Sequence, residues 1–212
     1  MKKFTLLVFS FAFICSAFSQ PVLTKKVNPF IGTGGHGHTY PGASCPFGMV
    51  QLSPDTRLTG WDGCSAYHAS DTLIYGFSHT HLSGTGCSDY GDILLMPAGR
   101  DVNTINYQYA SGFTLSSEKS EPGYYSVDLT NNKVKVELTA TPRTGFHRYT
   151  FHSKKIQNIV LDLKHRDKVL ESGIRIVGKD ELEGYRISQE WAQQQMVYFV
   201  MKFSKPFESR AM

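Results

Sequence analysis

Closely spaced histidines are the first residues of this 212-residue sequence that could do chemistry. Five of the eight histidines lie between Asn28 and Gly91, and four of these form the pairs His36/His38 and His79/His81. On a β-strand, residues two apart point to the same face, so each pair could present two imidazoles to one metal ion. A cupin-type metal site also needs a Glu shortly after the pair, and the four residues after His81 include none. Hydrogen-bonded histidines in polar loops are therefore the alternative to a metal site.

Carboxylates in the same stretch could supply a general acid or a general base. Hydrolysis of a glycoside usually uses two carboxylates held at a set separation. The sequence spacing picks out no such pair. Two of the candidates also suit turns, because one follows a proline and another precedes a glycine. The candidates are Asp55, Asp62, Asp71, Asp89 and Asp92.

Trp61 stands in a glycine-flanked segment, Gly60-Trp61-Asp62-Gly63. A large aromatic residue in such a loop has few local neighbours that could bury it. An exposed indole of this kind suits stacking on the apolar face of a sugar ring. The alternative is a tryptophan that fills the core of its own domain from a loop.

Several function classes find little support in the sequence. Gly32-Thr33-Gly34-Gly35 lacks the Lys-Ser/Thr of a phosphate-binding loop. The formal net charge is +4, and the basic residues are scattered rather than clustered, which argues against a nucleic-acid partner. The only long apolar run is near the N-terminus and is short for a membrane span. We therefore expect neither nucleic-acid binding nor a membrane-spanning helix.

The N-terminus predicts export. Met1-Lys2-Lys3 is a charged region, residues 4–15 are apolar, and Ala17-Phe18-Ser19 offers small residues for cleavage. A lipoprotein site at Cys15 would need a small residue before it, and Ile14 is not small. We expect a signal peptide over residues 1–19 and a periplasmic or extracellular mature chain from Gln20. The mature chain keeps three cysteines, and an odd number leaves their pairing open.

The rest of the chain predicts many short strands separated by turns. Val134 to Ala140 alternates apolar and polar residues without a break, which is typical of a half-buried strand. Two stretches, 117–119 and 166–171, have helical character. This pattern predicts an all-β chain with an antiparallel β-sandwich or barrel. Further strands are predicted at 49–52, 73–77, 93–96, 124–129, 145–151, 159–163, 173–177, 183–188 and 196–203.

Long motifs in the sequence resemble the N-terminal domain of family 92 glycoside hydrolases, the exported bacterial α-mannosidases. The resemblance is carried by NPFIGTGGHGHTYPGASCPFGMVQLSPDT from Asn28, by GWDGCSAYH from Gly60 and by GFSHTHLSGTGCSDYGDILLMP from Gly76. PGYYSV, VELTATPRTGFHRYTF and NIVLDL continue it further along the chain. It covers essentially all of the expected mature chain, residues 20–212.

The resemblance implies an N-terminal β-sandwich domain followed by a large (α/α)6 barrel. It implies a calcium-dependent enzyme that inverts the anomeric centre and cleaves exo α-mannosidic bonds of glycans, commonly α-1,2. In the family, the general acid Glu, the general base Asp and the calcium ligands lie mostly in the barrel. We therefore expect no catalytic residue and no metal ligand within these 212 residues, and no activity of the chain alone. A fragment of a longer chain is expected, because the sequence ends before a barrel.

The expected role of this chain is to supply substrate-binding loops to a site shared with the barrel. Trp61 is expected to stack on the sugar beside the cleaved bond. Weaker candidates for contacts with sugar hydroxyls or with the barrel are Asp62, His68, His79, His81 and Asp89. The alternative function is a carbohydrate-binding or interaction module with no chemistry of its own. A metal-binding barrel enzyme that uses the histidine pairs is a third hypothesis.

Overall fold

A computed structural model describes residues 23–208 of the chain. The predicted signal peptide lies outside these residues. Within residues 23–208 the regular structure is β-strand, with a few single-turn 3-10 helices. None of the helical turns in this part of the chain is long and apolar enough to cross a membrane.

Fourteen strands make up the sheets of the described region. Every strand pairing is antiparallel. The strands are β1 (Ala43–Ser44), β2 (Gln51–Asp55), β3 (Leu73–Ile74), β4 (Gly76–Ser78), β5 (Leu94–Ala98), β6 (Ser111–Gly112), β7 (Lys119–Glu121), β8 (Tyr124–Leu129), β9 (Val134–Ala140), β10 (Gly145–Phe151), β11 (Asn158–Asp162), β12 (Lys168–Ile176), β13 (Glu181–Gln189) and β14 (Gln195–Lys202).

Two of the sheets pack face to face as a sandwich. The five-stranded sheet has the order β1-β2-β4-β5-β11, and the four-stranded sheet has the order β10-β9-β8-β7. Buried residues of both sheets form one hydrophobic core, with Leu52, Phe77 and Met96 from the first and Val127 and Val136 from the second. The predicted all-β class and antiparallel β-sandwich are therefore confirmed. Apolar burial of this kind is the main favourable term in the stability of such a domain.

The clearest alternation in the sequence gives the most regular strand. Val134, Val136, Leu138 and Ala140 of β9 are buried, while the residues between them are exposed or half-buried. The predicted bounds of β8, β9 and β10 match the observed ones residue for residue. Period-2 alternation is a reliable signal here because one face of the sheet is covered and the other is open.

The helical character predicted for residues 166–171 was wrong, because Lys168 to Ile176 forms strand β12. The backbone gives the reason. Arg166 and Asp167 both have positive φ angles, 53° and 45°, which no right-handed helix could contain. The β-branched residues Val169, Ile174 and Ile176 also favour a strand.

A third sheet of three strands, in the order β12-β13-β14, is attached to the sandwich by a buried arginine. Arg186 of β13 has no exposed surface and forms an ion pair with the equally buried Asp92. The same guanidinium donates to the backbone carbonyls of Leu163, His165 and Arg166. These bonds fix the loop that precedes β12, which carries Arg166 towards the candidate site.

Candidate functional site

Trp61 lies on the surface at the start of a single 3-10 turn, Trp61–Gly63. Its side chain is 57% exposed, although it is one of the largest apolar groups in the chain. Gly60 has a φ of 84°, a backbone conformation that favours glycine and starts the turn. Beneath the turn, the Cys64 thiol donates to the Trp61 carbonyl at 2.7 Å. The Arg166 guanidinium donates to the Gly63 carbonyl at 2.9 Å. The backbone of the turn is therefore fixed, while more than half of the Trp61 surface stays exposed.

Three residues flank the indole and set its orientation. The His36 ring lies 4.9 Å from the Trp61 ring, tilted by 41°. The His38 ring lies 4.6 Å away and meets it edge to face. On another side, a Cβ at Gly86 would lie only 2.9 Å from the indole Nε1, so this position has room only for glycine. We refer to Trp61 with His36, His38 and Asp62 as the Trp61 platform.

Asp62 ties the two histidines of the platform together. Its Oδ1 lies 2.7 Å from His36 Nδ1 and 3.3 Å from His38 Nε2. The hydrogen bond from His36 is the largest influence on this carboxyl, and it lowers the pKa of Asp62 below its ordinary value. His38 is further held by a 2.6 Å bond between its Nδ1 and the Thr85 carbonyl. Asp62 is therefore an ionised acceptor in the middle of the platform.

His68 lies beside the platform and supports the neighbouring glycine loop. Its Nε2 contacts the Gly35 carbonyl at 3.2 Å, and its Nδ1 contacts the Ser70 hydroxyl at 2.8 Å. The side chain is partly buried. It holds the backbone that carries His36, and it keeps some surface exposed to solvent.

His79 lies inside the sandwich and bonds to the opposite sheet. Its Nδ1 lies 2.6 Å from the Ile93 carbonyl, so this nitrogen donates. Its Nε2 lies 3.0 Å from His147 Nε2, and the Tyr149 hydroxyl lies 2.8 Å from His147 Nδ1. The Tyr149 hydroxyl therefore donates to His147 Nδ1, His147 Nε2 donates to His79 Nε2, and His79 Nδ1 donates to the Ile93 carbonyl. In this arrangement each imidazole carries one proton and is neutral. Burial lowers the pKa of both histidines, which is consistent with neutral rings.

His81 belongs to a different buried network, centred on Asp55. Its Nε2 lies 2.7 Å from Asp55 Oδ1, and its Nδ1 lies 2.7 Å from the Gln51 carbonyl. On the other side, His165 Nε2 lies 2.5 Å from Asp55 Oδ2. Burial opposes ionisation of Asp55, but the two imidazoles outweigh it and hold the pKa of this carboxyl far below its usual range. The Ser78 hydroxyl is a third donor to Asp55, at 2.8 Å.

Asp89 is also turned inward, with 5% of its surface exposed. Its Oδ2 accepts from the Ala192 backbone N–H at 3.0 Å, and its Oδ1 accepts from the Tyr90 N–H at 3.1 Å. The structure therefore brings Trp61, Asp62 and His68 to one surface, and it places His79, His81 and Asp89 within the supporting interior.

The arrangement is suited to binding rather than to bond cleavage. Two of the candidate carboxylates, Asp55 and Asp92, have no exposed surface and are already paired, Asp55 with two histidines and Asp92 with an arginine. Within residues 23–208, no group of three or more His, Cys, Asp and Glu side chains is placed to hold a metal ion. The residues of this region therefore do not fit a calcium site. In the same region Cys45, Cys64 and Cys87 are free thiols.

Sequence reasoning missed that His36, His38 and Gly86 flank Trp61. The His36/His38 pair was noted for its spacing, but only as a possible metal ligand pair. The useful signal was the proximity of this pair to glycines, which bring the loop close to another segment. A Cβ at Gly37 would lie 2.2 Å from the Gly32 carbonyl, so the loop that carries both histidines is tightly folded.

The sequence of this chain matches a known protein family and a secreted relative. The family model of the glycosyl hydrolase family 92 N-terminal domain matches residues 26–212. A secreted glycosidase of Arthroderma benhamiae, itself uncharacterized, is 31% identical over 134 residues, which are 60% of this chain and 17% of that protein.

Two solved structures share the fold. A family GH92 alpha-mannosidase from Bacteroides thetaiotaomicron is 36% identical, with a TM-score of 0.82 over 87% of this chain. The GH92 family glycosyl hydrolase ccman5 is 26% identical, with a TM-score of 0.72 over 84% of this chain. In both cases the match covers 26% of the solved chain. The present chain therefore spans about a quarter or less of the length of these relatives.

Proposed function

This chain belongs to the family of glycosyl hydrolase family 92 N-terminal domains, and from that premise we propose that it supplies substrate-binding loops to an exported exo-α-mannosidase. The substrate is a mannose-containing glycan, with α-1,2 bonds as the preferred linkage. The similarity to a solved alpha-mannosidase supports the choice of sugar. The secreted relative supports export, to the periplasm or beyond the cell.

The observation that carries the proposal is the Trp61 platform. An indole that is 57% exposed, yet fixed by two imidazoles and a glycine, is a rigid apolar surface with polar groups at its edge. This combination is typical of sugar sites, where an aromatic face contacts ring C–H groups and nearby polar atoms bind hydroxyls. Fixing the indole in advance lowers the entropy cost of binding.

The candidate residues divide into two roles in this proposal. Trp61 stacks on the sugar in the leaving-group subsite, and Asp62 and His68 lie where they can bind hydroxyls or the partner domain. His79, His81 and Asp89 make their bonds within the chain and hold the loops that carry the platform.

The chemistry itself belongs to the rest of the enzyme. We propose that the general acid, the general base and the calcium ligands lie in a C-terminal (α/α)6 barrel, and that the reaction inverts the anomeric centre. Within residues 23–208, the buried and paired Asp55 and Asp92 cannot reach a substrate. The 212-residue chain alone is then expected to be inactive.

The test is Trp61→Ala in the enzyme that carries this domain, with Trp191→Ala as the matched control. Trp191 is also largely exposed, at 65%, but lies outside the platform. We expect Trp61→Ala to lower kcat/KM on mannobiose roughly ten- to a hundredfold, from ~1.4–3 kcal/mol of lost transition-state stabilisation. The loss on an aryl mannoside with a good leaving group should be smaller, and Trp191→Ala should change neither value.

The alternatives make different forecasts for the same two variants. If Trp61 were a core residue, its removal would cost about 3–5 kcal/mol of stability and leave the kcat/KM of the folded enzyme unchanged. A non-catalytic carbohydrate-binding module would lose binding to mannosides with no change in hydrolysis. Either result would contradict the proposed role in the active site.

A further inference from the structure

His36 is the platform histidine whose ring is mostly in solvent. Its side chain is 70% exposed, and its ring centroid lies 4.9 Å from that of Trp61. One nitrogen, Nδ1, is used by the 2.7 Å contact with Asp62 Oδ1. Within residues 23–208, this contact is the only hydrogen bond of the His36 ring, so Nε2 has no hydrogen-bond partner there. The ring therefore has one fixed nitrogen and one that is open to solvent beside the indole.

The contact with Asp62 decides which nitrogen carries the proton. An ionised carboxylate can only accept hydrogen bonds, so Nδ1 of His36 must donate. In the neutral ring, Nε2 then has no proton and its lone pair is an acceptor. The influence of His36 and His38 on the pKa of Asp62 keeps the carboxylate ionised at neutral pH. The free nitrogen of His36 is thus presented to solvent as an acceptor.

His38 has a different environment, and it has no free ring nitrogen that could accept a hydrogen bond from a ligand. It has 6% of its surface exposed, and both of its ring nitrogens contact protein acceptors, the Thr85 carbonyl and Asp62. Its edge-to-face contact with Trp61 orients the indole from within the protein. The two histidines therefore separate into one that positions the indole and one with a free acceptor beside it.

We propose that His36 is a further sugar-binding residue, whose Nε2 accepts a hydrogen bond donated by an equatorial hydroxyl of the ring that stacks on Trp61. A pyranose that stacks through its C–H face sends its equatorial hydroxyls sideways, towards groups at the edge of the aromatic ring. The His36 ring lies next to the indole, with its centroid 4.9 Å from that of Trp61. Asp62 acts through His36 as a positioning residue, because it fixes the proton on Nδ1. This inference rests on the proposed function, since it needs a sugar on Trp61.

The first experiment reads the ring nitrogens in the wild-type 212-residue chain. A long-range ¹H–¹⁵N spectrum distinguishes protonated from unprotonated imidazole nitrogens, and the His36 signals are assigned by their loss in His36→Ala. We expect Nδ1 protonated and Nε2 unprotonated at pH 7.5. Addition of α-1,2-mannobiose should move the Nε2 resonance. The proposal would be overturned if Nε2 carried the proton and Nδ1 did not. It would also be overturned if the Nε2 resonance did not shift when mannobiose is added.

The second experiment measures affinity in a Trp191→Phe background, where Trp61 is the only indole. Quenching of its fluorescence by α-1,2-mannobiose gives the Kd. Loss of one neutral hydrogen bond in His36→Ala should raise the Kd roughly two- to tenfold. Analogues of the disaccharide that lack either the 3-hydroxyl or the 4-hydroxyl of the reducing-end ring then identify the partner. With the analogue that lacks the partner hydroxyl, His36→Ala should have no further effect.

The outcomes separate the two proposals. If mannobiose fails to quench Trp61 in the parent chain, the proposed sugar site is wrong and the role of His36 fails with it. If the parent binds and His36→Ala binds every ligand equally well, the Trp61 site stands and the role of His36 is overturned. If His36→Ala weakens all analogues by the same factor, His36 only orients the indole, which also contradicts a direct hydrogen bond.

Discussion

The two histidine pairs have the same spacing in the sequence but bind different kinds of partner in the fold. His36 and His38 converge on one carboxylate oxygen of Asp62 at the protein surface. His79 and His81 diverge, one towards His147 in the opposite sheet and the other towards the buried Asp55. The first pair surrounds an exposed indole, whereas the second holds the interior together.

The difference shows that spacing alone does not assign a histidine pair to a site. A two-residue spacing puts side chains on one face only in an extended strand. His38 has a φ of 52°, and its loop folds back on itself through glycines, so both rings turn towards the same indole. His79 and His81 follow β4 directly and reach two separate sets of partners. What each pair does is decided by the carboxylates and carbonyls it meets.

The comparison is sharpest when one histidine from each pair is removed. His81→Ala should lower the free energy of unfolding by about 3–5 kcal/mol, because it leaves the buried Asp55 carboxylate without one of its partners. His36→Ala, at a mostly solvated position, should change it by less than about 0.5 kcal/mol. Urea denaturation of both variants at pH 7.5 measures the two values. Equal effects of the two substitutions would mean that the pairs do not differ in structural role.

Acid should lower the free energy of unfolding through His79 and its hydrogen-bond partner His147. Both imidazoles have a lower pKa in the folded chain than in the unfolded chain, where the value is about 6.5. Below pH 6.5 the unfolded chain therefore binds more protons, and stability falls as pH falls. Each such group contributes at most about 1.4 kcal/mol per pH unit. The readout is the free energy of unfolding between pH 7.5 and pH 5.

Two half-buried carboxyls oppose this trend, so a variant is needed to isolate it. Burial raises the pKa of Asp167 to about 7, and it also raises the pKa of Glu118. Groups of this kind bind more protons when folded, and their contribution to stability is lost as pH rises through the folded pKa. The free energy of unfolding is measured against pH for both wild type and His147→Gln. Subtracting one curve from the other removes the contribution of the two carboxyls, which both proteins share. The wild type should lose more stability on acidification, and parallel curves would contradict a neutral His79–His147 pair.

The smallest expected effect comes from moving the indole without touching a histidine. In Gly86→Ala, the added methyl group would lie 2.9 Å from Trp61 Nε1 and force the side chain off its position. Displacing the Trp61 side chain should cost about 0.5–1.5 kcal/mol of binding free energy, which weakens mannobiose binding roughly two- to tenfold. Gly34→Ala is the matched control, because its Cβ would meet only Ala69 Cβ at an ordinary 3.7 Å. Unchanged affinity in Gly86→Ala would show that the platform does not depend on this close contact.

Much of the sandwich could be predicted from local pattern. β8, β9 and β10 were located because alternation and turn residues act over a few positions. The sequence predicts only the C-terminal half of β12, as a strand over 173–177, and assigns helical character to residues 166–171. The start of β12 depends on two residues with positive φ, whose conformation is imposed by bonds from distant Arg186.

The candidate site was predictable only in part, for a similar reason. The glycine-flanked Trp61 predicted an exposed indole. The neighbours of that indole come from segments about 25 residues away in either direction, around His36 and around Gly86. The buried network of Asp55 also joins residues 110 positions apart in the sequence. Such contacts follow from the way the sheets pack, which periodicity does not report.

In the proposed function, the Trp61 platform, and not exposed aromatic surface in general, binds the sugar. The two tryptophans of the chain test it together, because their exposures are similar, 57% for Trp61 and 65% for Trp191. The measurement is a ¹H–¹⁵N spectrum of the two indole N–H groups during titration with α-1,2-mannobiose. We expect the Trp61 resonance to move to saturation while the Trp191 resonance stays fixed. Movement of both to the same extent, or of neither, would contradict it.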